Sequence, residues 1–314
     1  MPDPVTGMHD RGGAESPLPA SVLICSRERP AMLLDTVHSV LAAAHLPCEV
    51  VVVDQSSAPH GELAHLGTVR GCEVRYAHAP ARGLSRARNV GLRLASQDVV
   101  WVLDDDVLVQ QDSLERLLAG RRGGQRTVTT GRVLAAPPER PGLTQPPGAL
   151  VTETAPQVFR GRQPRQVVPG LNYAIPRSLL WEIGGWDERL GPGVLGWGGE
   201  DHDLSLRLLD AGCEVRHVPE AVVLHRSWRS RGDLVRSRWG YGRGAGAFYA
   251  KHASMRDRHT LERAAREVRT RLWRAATVAI SSPGTAAGQL LALAGLLSGA
   301  VEWTLRYRIR PLSG

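Results

Sequence analysis

The sequence is short of several things at once, and each shortage narrows what the chain can be. Lysine occurs once, at Lys251, so arginine carries almost all the positive charge, and an arginine here is a chain-wide habit before it is a site. The four cysteines, Cys25, Cys48, Cys72 and Cys213, have no CxxC spacing, and each sits in or beside an apolar run. That argues against a thiolate metal site or a disulfide framework, and predicts buried free thiols in a reducing, cytoplasmic compartment. No basic stretch leads into an apolar core and a small-residue cleavage site. Residues 1–17 are instead polar and rich in Pro, Gly and Asp, which predicts a disordered tail and no secretion. An aromatic-interleaved basic stripe is also missing, so nucleic acid is not an expected partner despite a net charge of +8.

That charge is unevenly placed. Residues 1–225 carry 22 basic against 26 acidic side chains, and residues 226–314 carry 17 against 5. The basic character belongs to the C-terminal segment.

From residue 20 to 133, short apolar β-rich runs alternate with segments of helical period, the pattern of a mostly parallel sheet flanked by helices. The strands are expected at 21–25, 49–53, 73–77, 99–103 and 127–133, with helices over 29–44 and about 85–95. Ligands of such sheets lie beyond the carboxyl ends of the strands, which here carry Ser26-Arg27, Asp54 and Asp104-Asp105-Asp106. A Pro-rich stretch, 135–169, is too long for a simple connection and predicts either a mobile substrate loop or a short β excursion. Order is expected to resume with a strand at 171–176, a short helix from Arg177, a glycine-rich run over 184–199, a helix over 203–211 and two strands ending near His225. The domain plan is then a tail (1–17), a catalytic unit of two halves (18–133 and 134–228) and a basic helical extension (229–314). Within the extension no charged residue occurs from 275 to 301, long enough to cross a bilayer although Pro283 and Gly284 interrupt it. Flanking arginines make an interfacial anchor on the anionic inner face of the cell membrane an equal expectation, beside a helical-hairpin packing.

Four constellations carry chemistry. VVWVLDDDV runs an apolar strand into three carboxylates, a costly cluster unless solvent or a cation neutralises it. Asp104 and Asp106 share a side if the strand continues, and such oxygen ligands suit Mg²⁺ or Mn²⁺; a solvated turn before the helix at Ser113 is the plainer reading. GWGGEDHDLSLRLLDAG places Glu200 and Asp201 after glycines, Gly198 and Gly199, that let a sugar approach the backbone, with Trp197 to stack on it. The alternative there is an acidic helix start, Asp201 or Asp203 bonding free amides. RGLSRARNVGLRLAS crowds Arg82, Arg86 and Arg88 around a helix start, a diphosphate site or merely a basic face. His225 ends the strand VVLH, either as a metal ligand or as a buried, satisfied histidine.

Taken in order, these residues resemble the family 2 glycosyltransferases of the GT-A fold over roughly residues 21–225. SVLICSRERP is similar to the family's first strand and nucleotide loop, VVVDQSS to its second strand, RGLSRARNVGLRLA to its donor-side helix, VLDDD to its Asp-x-Asp motif, and GGWDERLG with GED to its acceptor loop and base. The resemblance implies that Asp54 recognises the nucleotide, that Asp104 lies near its ribose or the metal, and that Asp106 holds Mn²⁺ or Mg²⁺ with His225. It further implies that Asp201 is the general base with Glu200 orienting it or the acceptor, and that a nucleotide-diphosphate sugar is the donor. Inversion at the anomeric carbon is expected, with a saccharide, lipid-linked or small-molecule acceptor. A nucleotidyltransferase would open with a glycine loop that SVLICSRERP lacks. A non-catalytic nucleotide-sugar-binding membrane adaptor would have no use for an acceptor-side base.

Overall fold

The computed structural model describes residues 16–309 apart from 122–123, 145–146, 197 and 254–256. Most of the expected tail and Trp197 thus lie outside the described residues. The first half runs β1 (Leu18–Ser26), α1 (Pro30–Leu41), β2 (Pro47–Asp54), α2 (Gly61–Ala64), β3 (Thr68–Val69), β4 (Cys72–His78), α3 (Leu84–Leu94), β5 (Val99–Asp104), β6 (Val107–Val109) and α4 (Ser113–Gly120). There follow β7 (Thr127–Pro138), β8 (Gln157–Phe159), β9 (Tyr173–Pro176), α5 (Arg177–Glu182), α6 (Glu200–Asp210) and β10 (Glu214–Ser227). Three long helices close the chain: α7 (Arg231–His252), α8 (Arg258–Thr277) and α9 (Pro283–Trp303).

The described strands form one sheet in the order β3-β4-β2-β1-β5-β9-β7-β10-β6, with β8 on β10. Its long ladders are parallel, with short antiparallel additions. β4-β2-β1-β5 and β7-β10 pair parallel, while β9 runs antiparallel to both β5 and β7. The sheet is continuous across residue 133, so the two expected halves share one core. Strand pleating splits that core by alternation: Val22, Ile24, Val50, Val52, Trp101 and Leu103 pack under α1 and α4. Leu23, Val51, Val53, Val100 and Val102 face α3, α5 and α6. The two strands expected near His225 are one, β10, bent by an irregularity between Val218 and Val222 in its pairing with β7. The Pro-rich stretch is the β excursion: β8 adds antiparallel to β10, and its flanks wall the cavity described below.

Two local devices fix the strand ends. Thr36 on α1 donates its hydroxyl to the carbonyls of Asp105 (2.9 Å) and Val107 (2.8 Å), holding the acidic turn. Asn172, fully buried in a left-handed conformation that asparagine tolerates, donates to Arg132 and Ala221 and accepts from Trp101 Nε1, tying β5, β7 and β10 together.

The C-terminal segment is three helices, not an isolated span. α7 begins with a reciprocal cap between Ser230 and Asp233. Its glycines fall on two faces. A Cβ at Gly242 or Gly246 would lie 2.2 or 2.0 Å from the carbonyl oxygens of Ala292 and Leu296 on α9; one at Gly295 or Gly299 of α9 would meet those of Trp239 and Arg243. The two backbones therefore touch, as only small residues permit. On α7's other face, Gly244 meets the Gly198 carbonyl, and Gly196 and Gly199 in turn lean on α7.

Candidate active site

The carboxyl edge of the sheet opens into a cavity of 1740 Å³ whose lining includes Ser26, Arg27, Asp104, Asp105, Asp106, Gly198, Gly199, Glu200, Asp201 and His225. The first acidic motif is bent rather than extended: β5 ends at Asp104, and Asp105 and Asp106 form the turn into β6. Of the two readings left open, a continuing strand and a turn, the turn is the one present, and each carboxylate has its own surroundings. Asp105 accepts from Ser26 Oγ (2.6 Å) and Arg29 Nη1 (2.8 Å). Asp106 Oδ2 accepts from Trp228 Nε1 (2.8 Å) and Arg29 (3.3 Å). Burial pushes Asp104 and Asp105 up to about 7, against the pull of Arg88 on the first and Arg29 on the second.

The other oxygen of Asp106 is the informative atom. Oδ1 is buried without a hydrogen-bond partner and lies 3.6 Å from His225 Nε2. His225 Nδ1 faces the Arg226 carbonyl at 3.0 Å, and a carbonyl can only accept, so Nδ1 carries a proton and, in the neutral ring, Nε2 is the lone-pair nitrogen facing Asp106. Two acceptors facing each other this closely are stabilised by a cation between them. Among the described residues no group of three or more ligating side chains surrounds such a point. A one-carboxylate, one-imidazole set fits an ion that keeps its remaining positions for substrate oxygens and water, as Mg²⁺ and Mn²⁺ do, and the imidazole leans the choice toward Mn²⁺.

The second acidic motif starts α6 at Glu200, three residues before the expected helix start, with Gly199 in a left-handed turn (φ 97°) aiming it. Glu200 is buried, and burial with repulsion from Asp201 pushes its carboxyl up to about 8 against the pull of Arg88. The Asp201 side chain is 19% exposed to the cavity and accepts from Arg88 Nη1 at 3.0 Å. Burial raises this group too, with Arg88 opposing. Asp201 is the reachable, cation-supported carboxylate of the two. A Cβ at Gly170 would lie 2.7 Å from its Oδ2, so the chain beside it must be bare.

The arginines of α3 need correcting. The helix is amphipathic, and only Arg88 turns inward. It is 2% exposed and donates to Asp201, Asp104 (3.4 Å) and the Gly170 carbonyl (2.7 Å). Arg88 thus ties the two acidic motifs together and has little left for a diphosphate. Arg86 points outward onto Glu188, and Arg82 is exposed and does not line the cavity. Asp54 is likewise committed: it is 2% exposed and its oxygens accept from Ser56 N and Tyr76 OH, while its neighbour Gln55 lines the cavity. Arg29, Trp228 and Arg229 went unassigned in sequence. The guanidiniums of Arg29 and Arg229 lie 4.6 and 4.7 Å from the Trp228 ring centre beside Asp106, and their only linear signal was the arginine-rich text RERP and HRSWRS.

Comparison with known proteins agrees with this geometry. The family model described as glycosyl transferase family 2 matches residues 21–184, and one described as the N-terminal domain of galactosyltransferase matches 155–227. A pre-mycofactocin glycosyltransferase of Mycobacterium tuberculosis is 28% identical over 209 residues, 65% of this chain and 43% of that protein. A glucosyl-dolichyl phosphate glucuronosyltransferase of Haloferax volcanii is 27% identical over 54% of this chain and 56% of its own length. The chain spans about half the length of these relatives. Among solved structures, a mannosyltransferase from Pyrobaculum calidifontis in complex with GDP-Man and Mn²⁺ superposes with a TM-score of 0.57 at 16% identity, covering 92% of this chain and 88% of that one. GalNAc-T7 with UDP, GalNAc and Mn²⁺ gives 0.55 at 22% identity, covering 75% and 50%. With more than half of its length matched by the family model, and with the GT-A sheet and paired acidic motifs in place, the chain belongs to glycosyltransferase family 2.

Proposed function

We propose that the protein transfers a sugar from a nucleotide-diphosphate donor to an acceptor hydroxyl, with inversion and with a divalent ion at Asp106 and His225. The observation that carries this reading is the orphaned Asp106 Oδ1 facing His225 Nε2 at 3.6 Å, on the same cavity as Asp201. When bound, the ion supplies charge that stabilises the departing diphosphate. The Arg29 and Arg229 guanidiniums, held against Trp228, add positive charge at that end. At the acceptor end Asp201, the more exposed of the two carboxylates and bonded to Arg88, takes the proton of the attacking hydroxyl, with Glu200 beside it. The same Arg88 holds Asp104, so the distance between leaving group and base is set by one side chain.

The test is donor turnover with and without Mn²⁺ in Asp106→Ala and Asp201→Asn. Asp201→Asn should lower kcat by about 10²–10⁴-fold with donor binding intact, and Asp106→Ala should weaken donor binding only when metal is present. Normal turnover in both variants would overturn the proposal.

We further propose that the extension rests on an anionic bilayer in the plane of its surface. α9 is long and apolar enough to cross a membrane, but one side of it is seated on α7. Its other side presents Leu290, Leu297 and Val301, each at least half exposed and followed by Leu305 just past its end, beside a segment of strong positive charge. Flotation with vesicles of phosphatidylcholine and phosphatidylglycerol should carry the protein up, and Leu297→Glu/Val301→Glu should stay at the bottom. A protein that ignores these vesicles at low salt sinks the idea.

A further inference from the structure

At 1740 Å³ the cavity exceeds what a small-molecule site usually needs. Its surplus lies past Asp201, where α7, α8 and α9 form the wall. That wall is cationic. Arg263, Arg266, Arg271 and Arg274 of α8 and Arg238 of α7 line it, with Glu267 as the one carboxylate these helices contribute. The charges are unevenly spent. Glu267 accepts from Arg271 (2.7 Å) and from Tyr249 OH (2.6 Å), which accounts for both. Among the described residues no carboxylate pairs with Arg238, Arg266 or Arg274. Arg263 is only 7% exposed, yet no carboxylate bonds it directly: it donates to His202 Nδ1 at 2.7 Å, lies over the Phe248 ring and reaches Tyr249, whose hydroxyl is bonded to Glu267. Burial and the nearby Arg263 hold the His202 ring down to about 4, so it offers no compensating charge and no competing one. A guanidinium this deeply buried with no carboxylate bonded to it directly is expensive, and four more arginines line the same wall.

The place of this wall gives it meaning. His202 follows Asp201 directly on α6, so the arginine chamber begins one residue from the proposed base. We infer that the chamber binds an anionic group of the acceptor, a phosphate or phosphodiester, and thereby positions the reacting hydroxyl at Asp201. The inference rests on the transferase reading for the word acceptor, but the anion site stands on its own residues. Several converging guanidiniums suit phosphate through charge-assisted, paired hydrogen bonds. Phosphate of this kind comes from a soluble phosphomonoester or from a lipid headgroup, and the exposed apolar side of α9 bears on the second.

The experiment fills the donor end first. The full chain is saturated with Mn²⁺ and whichever of UDP and GDP raises its Tm, then titrated with inorganic phosphate by calorimetry. The wild type should bind saturably, and Arg266→Gln/Arg274→Gln, two exposed unpaired positions, should weaken that binding by about tenfold or more with the nucleotide-induced rise in Tm preserved. Arg263→Gln, which risks the fold, serves as the stronger second variant. Phosphatidic-acid vesicles displacing phosphate better than glycerol 3-phosphate would identify a headgroup, and the reverse order a soluble phosphomonoester. Binding that never saturates, or that is unchanged in the double variant, overturns the inference. Should neither nucleotide raise Tm, the transferase reading fails instead, and the phosphate titration still decides the chamber.

Discussion

Helices α3 and α8 are both rich in arginine and use it in opposite ways. On α3 the inward residue, Arg88, is buried and bonded to carboxylates of both acidic motifs, while the outward ones meet solvent or Glu188. On α8 the inward residue, Arg263, is buried against histidine and phenylalanine, and its neighbours on the cavity wall lack carboxylates apart from Glu267. The first arrangement is a finished structural tie. The second has donors left over, which is what a binding surface needs and a packing surface avoids.

Three substitutions sharpen this contrast, from the largest expected effect down. Arg88→Met strips Asp104 and Asp201 of their shared cation, and urea unfolding should show a loss of about 3–5 kcal/mol. A loss as small as that of a surface residue would mean that the tie is not structural. Asp203 comes next. It is fully buried and bonded to Arg207, Lys251 and His252, and these outweigh its burial and lower it from 3.8 to about 2. A folded-state value below the unfolded one adds stability above about pH 4 that disappears as pH falls toward 2. By linkage this is about 2 kcal/mol. Asp203→Asn should therefore flatten the acid limb of a stability-against-pH curve, and an unaltered limb would assign acid lability elsewhere. The smallest effect belongs to Arg266→Gln/Arg274→Gln, whose Tm without ligands should match the wild type; a clear drop would show that these arginines are packing elements after all.

Much of the fold was legible because alternation of apolar residues is a local signal. The strands at 21–25, 49–53, 73–77 and 99–103 lie inside β1, β2, β4 and β5, and α1 and α3 fall close to their expected bounds. What escaped depended on partners distant in the chain. That β9 inserts antiparallel between β5 and β7 is invisible in LNYAIP, because strand direction is decided by neighbours. Arg88 reads like Arg82 and Arg86 until helical phase and the approach of residues 170 and 201 single it out. Asp54 looked available because its occupants, Ser56 and Tyr76, are themselves unremarkable in sequence. The role of His225 turned on one carbonyl one residue away, and that is a matter of geometry alone. The thiols stand as expected except Cys48, which is half-buried.

The alternating glycines of α7 make this helix a spacer of backbone thickness, wedged between the turn that delivers Glu200 and the helix proposed to lie on lipid. Any side chain added on either flank would be felt on the other, so the extension is geared to the catalytic edge and cannot be exchanged as a separate module. A chimera carrying a relative's C-terminal helices would inherit that relative's spacing at the acceptor turn, and with it a different fit for whatever hydroxyl arrives there.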